Sequence, residues 1–360
     1  MLIDLICGAR PNFMKIAPLV KELKNNNKIK YRIIHTGQHY NASMSNFFFN
    51  DLGIPKPDYN LNAKSGTHSE QTSKIMIGYE KIILIKKPDL CIVVGDVNST
   101  LACSIVAKKN NVKLAHIESG LRSGDLTMPE EINRIVTDSL SDIFFTTSTN
   151  ANRNLIAEGK KAKNIYFVGN TMIDTLINFK NKIHKPKLFK KFDLLNNNYF
   201  ILTLHRPSNV DDKIKLINLL KQISKSCKNL KIIFPVHPRI NKFMKKQLNI
   251  PKNIILTKPI GYLDFLYLIK NAKGIITDSG GITEEATYLK IPCITLRNST
   301  ERPETIKLGS NILVGNDFQK IKINISKIIN NKWKNSSIPA KWDGKTSKRI
   351  INIISSLAKK

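Results

Sequence analysis

Acidic residues are scarce in this chain. Asp and Glu number 27 against 58 Lys and Arg, a formal net charge of +31, and so basic a protein is first read as a partner for nucleic acid or an anionic membrane surface. Other absences remove that reading. The sequence has no arginine stripe, no interleaving of aromatics with basic residues and no recognition-helix signature. Lysine mixed with Asn and Ile, in Lys24 to Lys28, Lys180 to Lys191 and Lys320 to Lys334, carries the charge. These stretches read as a solvated basic face, so no specific nucleic-acid partner is expected. Their field would still draw a small anion toward the protein, less strongly at high salt.

Cysteine occurs only five times and never as C-x-x-C; Cys7, Cys91, Cys103, Cys227 and Cys293 sit mostly in apolar runs, where a thiol acts as a small hydrophobe. That usage fits a reducing compartment, and a cytoplasmic location is expected. Asp4 and Arg10 interrupt the first apolar stretch before it can form a signal-peptide core, and no other stretch is long enough to span a bilayer. No membrane insertion is expected. A G-x-G-x-x-G loop is missing, which removes support for a nicotinamide cofactor. No H-x-x-E-H, H-E-x-x-H or D-x-D arrangement accompanies the acids, so neither a metal nor any other cofactor is expected.

What is present is a folded composition, 41% hydrophobic and 7% aromatic, in 360 residues, enough chain for two cores. Short β-branched runs alternate with amphipathic stretches, the pattern of parallel sheets covered by helices. Strands are predicted at Leu2 to Cys7, Tyr31 to His35, Leu90 to Val94, Lys113 to Ile117, Ile143 to Thr146 and Ile165 to Val168. A second series runs through Phe200 to Leu204, Leu230 to Pro235, Asn253 to Leu256, Gly274 to Thr277, Cys293 to Leu296 and Asn311 to Val314. The fold class is α/β with two Rossmann-like, doubly wound parallel-sheet domains, residues 1–171 and 172–340. A last helix within 341–360, apolar at Ile350, Ile353, Ile354 and Leu357, is expected to pack back on the first domain.

Ligands of open α/β sheets bind beyond the carboxyl ends of strands, so the residues after each strand carry the chemistry. After the first comes Gly8-Ala9-Arg10-Pro11-Asn12-Phe13-Met14-Lys15, where Arg10 and Lys15 are placed to meet phosphate or carboxylate at a helix N-terminus; two solvated cations are the alternative. Gly95-Asp96 follows the third strand, His116-Ile117-Glu118 ends the fourth, and Pro129-Glu130-Glu131 opens the next helix. Asp96, Glu118 and Glu130 thus leave consecutive loops at one end of a sheet. Converging carboxylates suit acid/base work, because repulsion and partial burial spread their pKa values; each alone is equally a helix cap or a surface acid.

In the second half, His205 and Arg206 follow directly on a strand, and His237 takes the same place one strand later. A lone histidine is more often structural, but the strand-end place and the flanking Arg206 favour function for His205; for His237 both readings stand, and His35, His39 and His68 are read as structural or unassigned. Thr277-Asp278-Ser279-Gly280-Gly281-Ile282-Thr283-Glu284-Glu285 reads strand, turn, helix, with N–H groups that can cradle a diphosphate. Glu285 suits the hydroxyls of a ribose. Arg297 and the run Thr300-Glu301-Arg302-Pro303-Glu304 add cations, so Ser279 and Arg302 read together as one nucleotide site.

Taken in order, these pieces resemble the non-hydrolysing UDP-N-acetylglucosamine 2-epimerases, a family with the two-domain GT-B fold. The likeness spans essentially the whole chain. It adds Thr36-Gly37-Gln38-His39, Asn133-Arg134 and Gly169-Asn170-Thr171 to the runs quoted above. The resemblance implies an active site in the cleft between the domains, with Asp96, Glu118, Glu130 and His205 as catalytic groups. It implies a UDP site of Arg10, Ser279, Gly280, Gly281, Glu285 and Arg302, with Tyr262 where the backbone meets uracil. It also implies a UDP-sugar as the partner, a homodimer, and neither metal nor NAD. An epimerase of UDP-2,3-diacetamido-2,3-dideoxy-glucuronate and a GT-B glycosyltransferase are the rival readings.

The chain departs from the family at one place. Many bacterial members carry Gln-His-Arg-x-Met-x-x-Gln and Val-His-x-Asn-Pro beside an activating second substrate molecule, where this sequence reads Gln38-His39-Tyr40-Asn41-Ala42-Ser43-Met44-Ser45 and Val236-His237-Pro238-Arg239. Each charged hydrogen bond lost costs roughly 1.5 to 3 kcal/mol, more than tenfold in affinity. Hyperbolic dependence on UDP-N-acetylglucosamine is therefore expected, with the reverse reaction starting from UDP-N-acetylmannosamine alone; a lag abolished by a trace of the gluco sugar is the contrary result.

Overall fold

The β-branched runs pair as parallel ladders. In the computed structural model, which describes residues 1–38, 52–236 and 250–357, β1 (Leu2–Cys7) lies between β2 (Lys30–His35) and β4 (Leu90–Val94). With β3 (Tyr59–Asn60), β5 (Lys113–Ile117), β6 (Ile143–Thr146) and β7 (Ile165–Phe167) they form a 7-stranded sheet of order β3-β2-β1-β4-β5-β6-β7. The second sheet has 6 strands: β8 (Tyr199–Thr203), β9 (Lys231–Pro235), β10 (Ile254–Thr257), β11 (Gly274–Thr277), β12 (Cys293–Thr295) and β13 (Asn311–Leu313), in the order β10-β9-β8-β11-β12-β13. Every recorded pairing is parallel.

Parallel sheets bury both faces, and most strand positions are apolar for that reason; the buried Asp4 of β1 and Arg32 of β2 are paired with each other. The second sheet shows the period of two directly. Phe200, Leu202, Ile232, Phe234, Ile276 and Ile294 point into one core, with Leu216, Leu220 and Ile223 of helix Lys213–Cys227 and Ile321, Ile325 and Ile328 of helix Phe318–Ile329. Their neighbours Tyr199, Ile201, Ile233, Ile275 and Cys293 point into the other, against Leu268 and Ile269 of helix Tyr262–Asn271. All five cysteines are free and buried. Burial pushes the Cys293 thiol up to about 12, so it packs as an apolar group.

The chain divides into two units, Met1–Asn178 with Ala340–Lys360, and Phe179–Pro339. The division falls beyond residue 171 because helix Thr171–Phe179 buries Met172, Ile173 and Leu176 and belongs to the first unit. The final helix, Thr346–Leu357, also joins that unit: it packs along helix Arg10–Lys24 and buries Ile350, Ile351 and Ile354. Asp174 caps it. Its carboxylate accepts the N–H groups of Thr346 at 3.1 Å and Ser347 at 2.7 Å, two of the donors that a helix start leaves unpaired. No helix among the described residues is long and apolar enough to cross a membrane.

Candidate functional site

In each sheet the chain begins at a central strand, winds to one edge, then returns to wind to the other. Strand order reverses between β1 and β4 in the first unit and between β8 and β11 in the second. Connections on either side of such a switch point cover opposite faces, which opens a crevice at the strand carboxyl ends. Several of the residues singled out from the sequence follow those four strands, while Glu118 follows β5, Tyr262 β10 and Arg302 β12.

In the first unit, Asn12 joins the two loops: its Oδ1 accepts the Gly8 and Ala9 N–H groups at 3.3 and 3.0 Å, and its Nδ2 donates to the Val94 carbonyl at 3.0 Å. Space is tight there. A Cβ on Gly8 would lie 2.1 Å from Ser99 Oγ and 2.4 Å from Thr36 Oγ1, so only glycine lets these strand ends meet. Lys15, one turn into the helix, is buried and donates to Glu118 Oε2 at 2.6 Å. Glu118 leaves β5 with φ 70°, a left-handed backbone that a non-glycine residue adopts at a cost. Gly95 takes φ 70° opposite it, and a Cβ there would stand 3.1 Å from Lys15 Nζ.

Asp96, half-buried, receives Arg134 Nη1 at 2.8 Å, and the same guanidinium donates from Nε to Glu131 Oε2 at 3.1 Å. Glu131 also accepts the N–H groups of Ser123 and Gly124, each at 2.9 Å for the shorter contact. Asn133 Nδ2 donates to the Asp96 carbonyl at 2.8 Å. Behind this layer His116 and Asp138 pair at 2.7 Å, both fully buried, and His116 Nε2 meets the Gly95 carbonyl at 2.8 Å. Burial alone would raise the Asp138 pKa, but His116, Arg122 and the Gly120 N–H hold it below the ordinary value.

In the second unit the anchor is Asp278, directly after β11. Its carboxylate accepts the main-chain N–H groups of His205 and Arg206, both at 3.0 Å, Asn209 Nδ2 at 3.0 Å, and His205 Nδ1 at 2.6 Å. These partners overcome desolvation and keep the Asp278 pKa below its usual value. Bound through Nδ1, the His205 ring turns Nε2 outward, and its side chain is 47% exposed. Helix Gly280–Leu289 follows, with Ser279 as its N-cap residue. Among the described residues no atom lies within 4 Å of a Cβ placed on Gly281, whereas one on Gly280 would stand 2.7 Å from Glu301 Oε1 and 3.2 Å from Arg302 Nη1. The helix start is thus open on one side and floored by charge on the other.

Arg302 is buried and donates to Glu284 from Nε and to Glu301 from Nη1, the latter at 2.6 Å. Glu285 and Tyr262 are buried too, and burial, with Glu285 beside it, pushes the Tyr262 hydroxyl well above its usual pKa. Among the residues singled out from the sequence, Lys15 and Glu118 come together directly, and so do His205 and Arg206 around Asp278. Glu130 stands exposed at the start of helix Pro129–Leu140, and it is its neighbour Glu131 that turns inward. His39 and His237 lie outside the described residues, as does the side chain of Arg10. Sequence reasoning assigned no role to Arg134, Glu131, Asn133 or Asp278. The i, i+3 spacing of Glu131 and Arg134 on a helix, and an acid at the strand end of β11 matching Asp96 after β4, are the signals that mark them.

Two doubly wound parallel-sheet units, each with polar side chains and a helix N-terminus at its switch point, define a GT-B-like α/β protein. The sequence model described as UDP-N-acetylglucosamine 2-epimerase matches residues 21–355, and the chain belongs to that family. It is 44% identical over 366 residues to the UDP-N-acetylglucosamine 2-epimerase of Methanocaldococcus jannaschii, covering 98% of this chain and 99% of the relative. The crystal structure of the Methanocaldococcus jannaschii enzyme in complex with UDP-GlcNAc and UDP superposes with a TM-score of 0.91 at 43% identity, covering 99% and 100% of the two chains. The UDP-2,3-diacetamido-2,3-dideoxy-D-glucuronate 2-epimerase of Pseudomonas aeruginosa is 40% identical over 319 residues, 88% of each chain.

Asp278 sets a measurable consequence. Its depressed pKa means that the carboxylate contributes stability above its unfolded pKa near 3.8 and loses it as pH falls below that value. Asp278→Asn should destabilise the protein by about 1 to 3 kcal/mol at neutral pH in urea titrations, with the gap to the unsubstituted chain narrowing below about pH 4. A constant gap from pH 7 to pH 3.5 would contradict this account.

Proposed function

We propose that this chain catalyses the reversible 2-epimerisation of UDP-N-acetylglucosamine to UDP-N-acetylmannosamine, by anti elimination of UDP and re-addition through 2-acetamidoglucal. Membership of the family supports the overall reaction. The observation that carries the chemistry is the pairing of Glu118 with Lys15 beside the Gly95–Asp96 turn, where Arg134 holds the Asp96 carboxylate at 2.8 Å. Two carboxylates with fixed directions stand at one switch point.

The substrate explains why such groups are needed. C2 has no adjacent carbonyl, so its proton is not acidic enough for direct removal. Departure of UDP from C1 builds positive charge there, which acidifies the C2 proton and lets a carboxylate take it. Reprotonation of the glucal from the opposite face, with return of UDP to C1, gives the manno sugar. Asp96, Glu118 and Glu130 are the proposed proton carriers. Arg10 and His205 are the proposed partners of the departing UDP, with Lys15, Arg206 and His237 also placed in the substrate site. Ser279, Gly280 and Gly281 seat the diphosphate on a helix N-terminus, Glu285 takes the ribose hydroxyls and Tyr262 lies by the uracil. Arg302, held by Glu284 and Glu301, supports that seat from below. By family resemblance the enzyme works as a homodimer without metal or NAD, and its cysteine usage favours a reducing, cytoplasmic compartment.

The 40% identity to the Pseudomonas aeruginosa enzyme favours a second reading, in which the sugar is a 2,3-diacetamido-glucuronate. Assaying both UDP-sugars separates the two. With UDP-N-acetylglucosamine in heavy water, without added NAD or divalent metal, NMR should show solvent deuterium entering C2 during turnover. Epimerisation that retains the C2 hydrogen would sink the elimination route. Asp96→Asn, Glu118→Gln and Glu130→Gln should each lower kcat by about a hundredfold or more, the scale of lost general acid/base help; near-normal turnover in all three would place the chemistry elsewhere.

A further inference from the structure

One buried acid of the second unit takes no part in the chemistry above. Glu304, in the first turn of helix Pro303–Lys307, is 8% exposed, and neither carboxyl oxygen has a hydrogen-bond partner among the described residues. Charged groups face it from three elements. Glu301 and Arg302 come from the preceding loop and Glu284 from helix Gly280–Leu289, while Arg297, after β12, joins through Glu301 at 2.8 Å. Neighbouring β13 contributes the uncharged Asn311, Lys334 approaches the same short helix but donates to the Ile306 carbonyl, and Lys307 is exposed.

Glu284 and Glu301 already face the guanidinia of Arg297 and Arg302, and ionisation of Glu304 adds one more negative charge beside them. Burial is the main reason that the Glu304 carboxyl is pushed up to about 7; its own N–H and Arg302 oppose the rise, while Glu284 and Glu301 add to it. The cluster also touches the helix start, since a Cβ on Gly280 would lie 2.7 Å from Glu301 Oε1 and 3.2 Å from Arg302 Nη1. A charge gained there acts at close range, through protein and not through water, on whatever anion the N–H groups hold.

We propose that Glu304 is a positioning residue of the diphosphate seat: as the neutral acid it adds no charge beside Arg302, and when ionised it sets a negative charge there that weakens anion binding at Gly280. Proton and diphosphate then favour each other by linkage, so nucleotide affinity falls as pH rises through the titration of Glu304. The inference rests on reading Ser279-Gly280-Gly281 as that seat.

Calorimetric titration with UDP from pH 6.5 to 9, in two buffers of different ionisation heat, tests it on the full chain. The unsubstituted protein should lose about tenfold in affinity across the range, the scale of one unit charge several ångströms away at an effective protein dielectric, and should take up protons on binding near pH 8. Glu304→Gln should bind at pH 9 about as well as the unsubstituted protein does at pH 6.5, without that uptake; the ionisation of UDP itself is common to both and cancels. An equal slope and equal proton uptake in the two proteins would overturn the role of Glu304 while leaving the seat intact. Failure of the unsubstituted protein to bind UDP at any pH would overturn the seat and the inference together. Infrared difference spectra of the unsubstituted protein, with carbon-13 glutamate, provide a check independent of the variant's folding: UDP added at pH 8 should increase the protonated-carboxyl band, and no increase would refute the linkage.

Discussion

A buried carboxylate that accepts main-chain N–H groups is the interaction on which the strand ends of both units depend. Asp278 holds the N–H groups of His205 and Arg206, Glu131 those of Ser123 and Gly124, Asp138 that of Gly120, and Asp174 those of Thr346 and Ser347. Loops at the carboxyl ends of parallel strands have no ladder to bond to, and a buried N–H without a partner costs about 1 to 3 kcal/mol. A carboxylate with two acceptor oxygens meets several such groups at once, and its negative charge strengthens each bond. The chain has only 27 acidic residues. Several of them serve this purpose, and around Asp278 one carboxylate meets His205, Arg206 and Asn209 together.

The same economy accounts for the balance of charge inside. Lys15, Arg134, Arg297 and Arg302 are buried cations, and each is set against a carboxylate: Glu118, Asp96 with Glu131, Glu301, and Glu284 with Glu301. A buried charge without its partner is expensive, so these cations are specified by position and not by abundance. The excess of +31 therefore belongs mostly to the exposed lysines, which act at long range on an approaching anion and are screened by salt. Attraction to the protein and grip at the site are separate properties of different residues.

The strands were legible because parallel sheets bury both faces, so each strand is a mostly apolar run bounded by turns; Leu2–Cys7, Leu90–Val94, Lys113–Ile117, Ile143–Thr146 and Gly274–Thr277 coincide with the predicted limits. β3 was not, because two residues carry no period, and Tyr59–Asn60 becomes a strand only through pairing with Ile34 and His35. Motif residues were legible as polar groups after strands, but their partners were not. Lys15 read as a cation for phosphate or carboxylate, and nothing local reveals that the carboxylate it meets is Glu118, 103 residues away. Which of Glu130 and Glu131 faces inward depends on the rotation of helix Pro129–Leu140, which is set by how Asn133, Arg134 and Thr137 pack, a tertiary fact that neighbouring identical residues cannot announce.

Backbone strain at the first switch point completes the argument. Gly95 and Glu118 share φ 70° on facing loops, yet only one of the two is glycine. At 95 a side chain would crowd the ammonium of Lys15, because its first carbon would stand 3.1 Å from Lys15 Nζ. At 118 the left-handed backbone costs on the order of 1 kcal/mol or more for any residue with a Cβ, and glycine would remove that cost. A carboxylate is kept there regardless, its N–H bonded to the Phe145 carbonyl at 3.0 Å and its Oε2 taken by Lys15. Together the left-handed turn and these two bonds set the direction in which the Glu118 side chain leaves β5, and a fixed direction is what the proposed proton transfer asks of it.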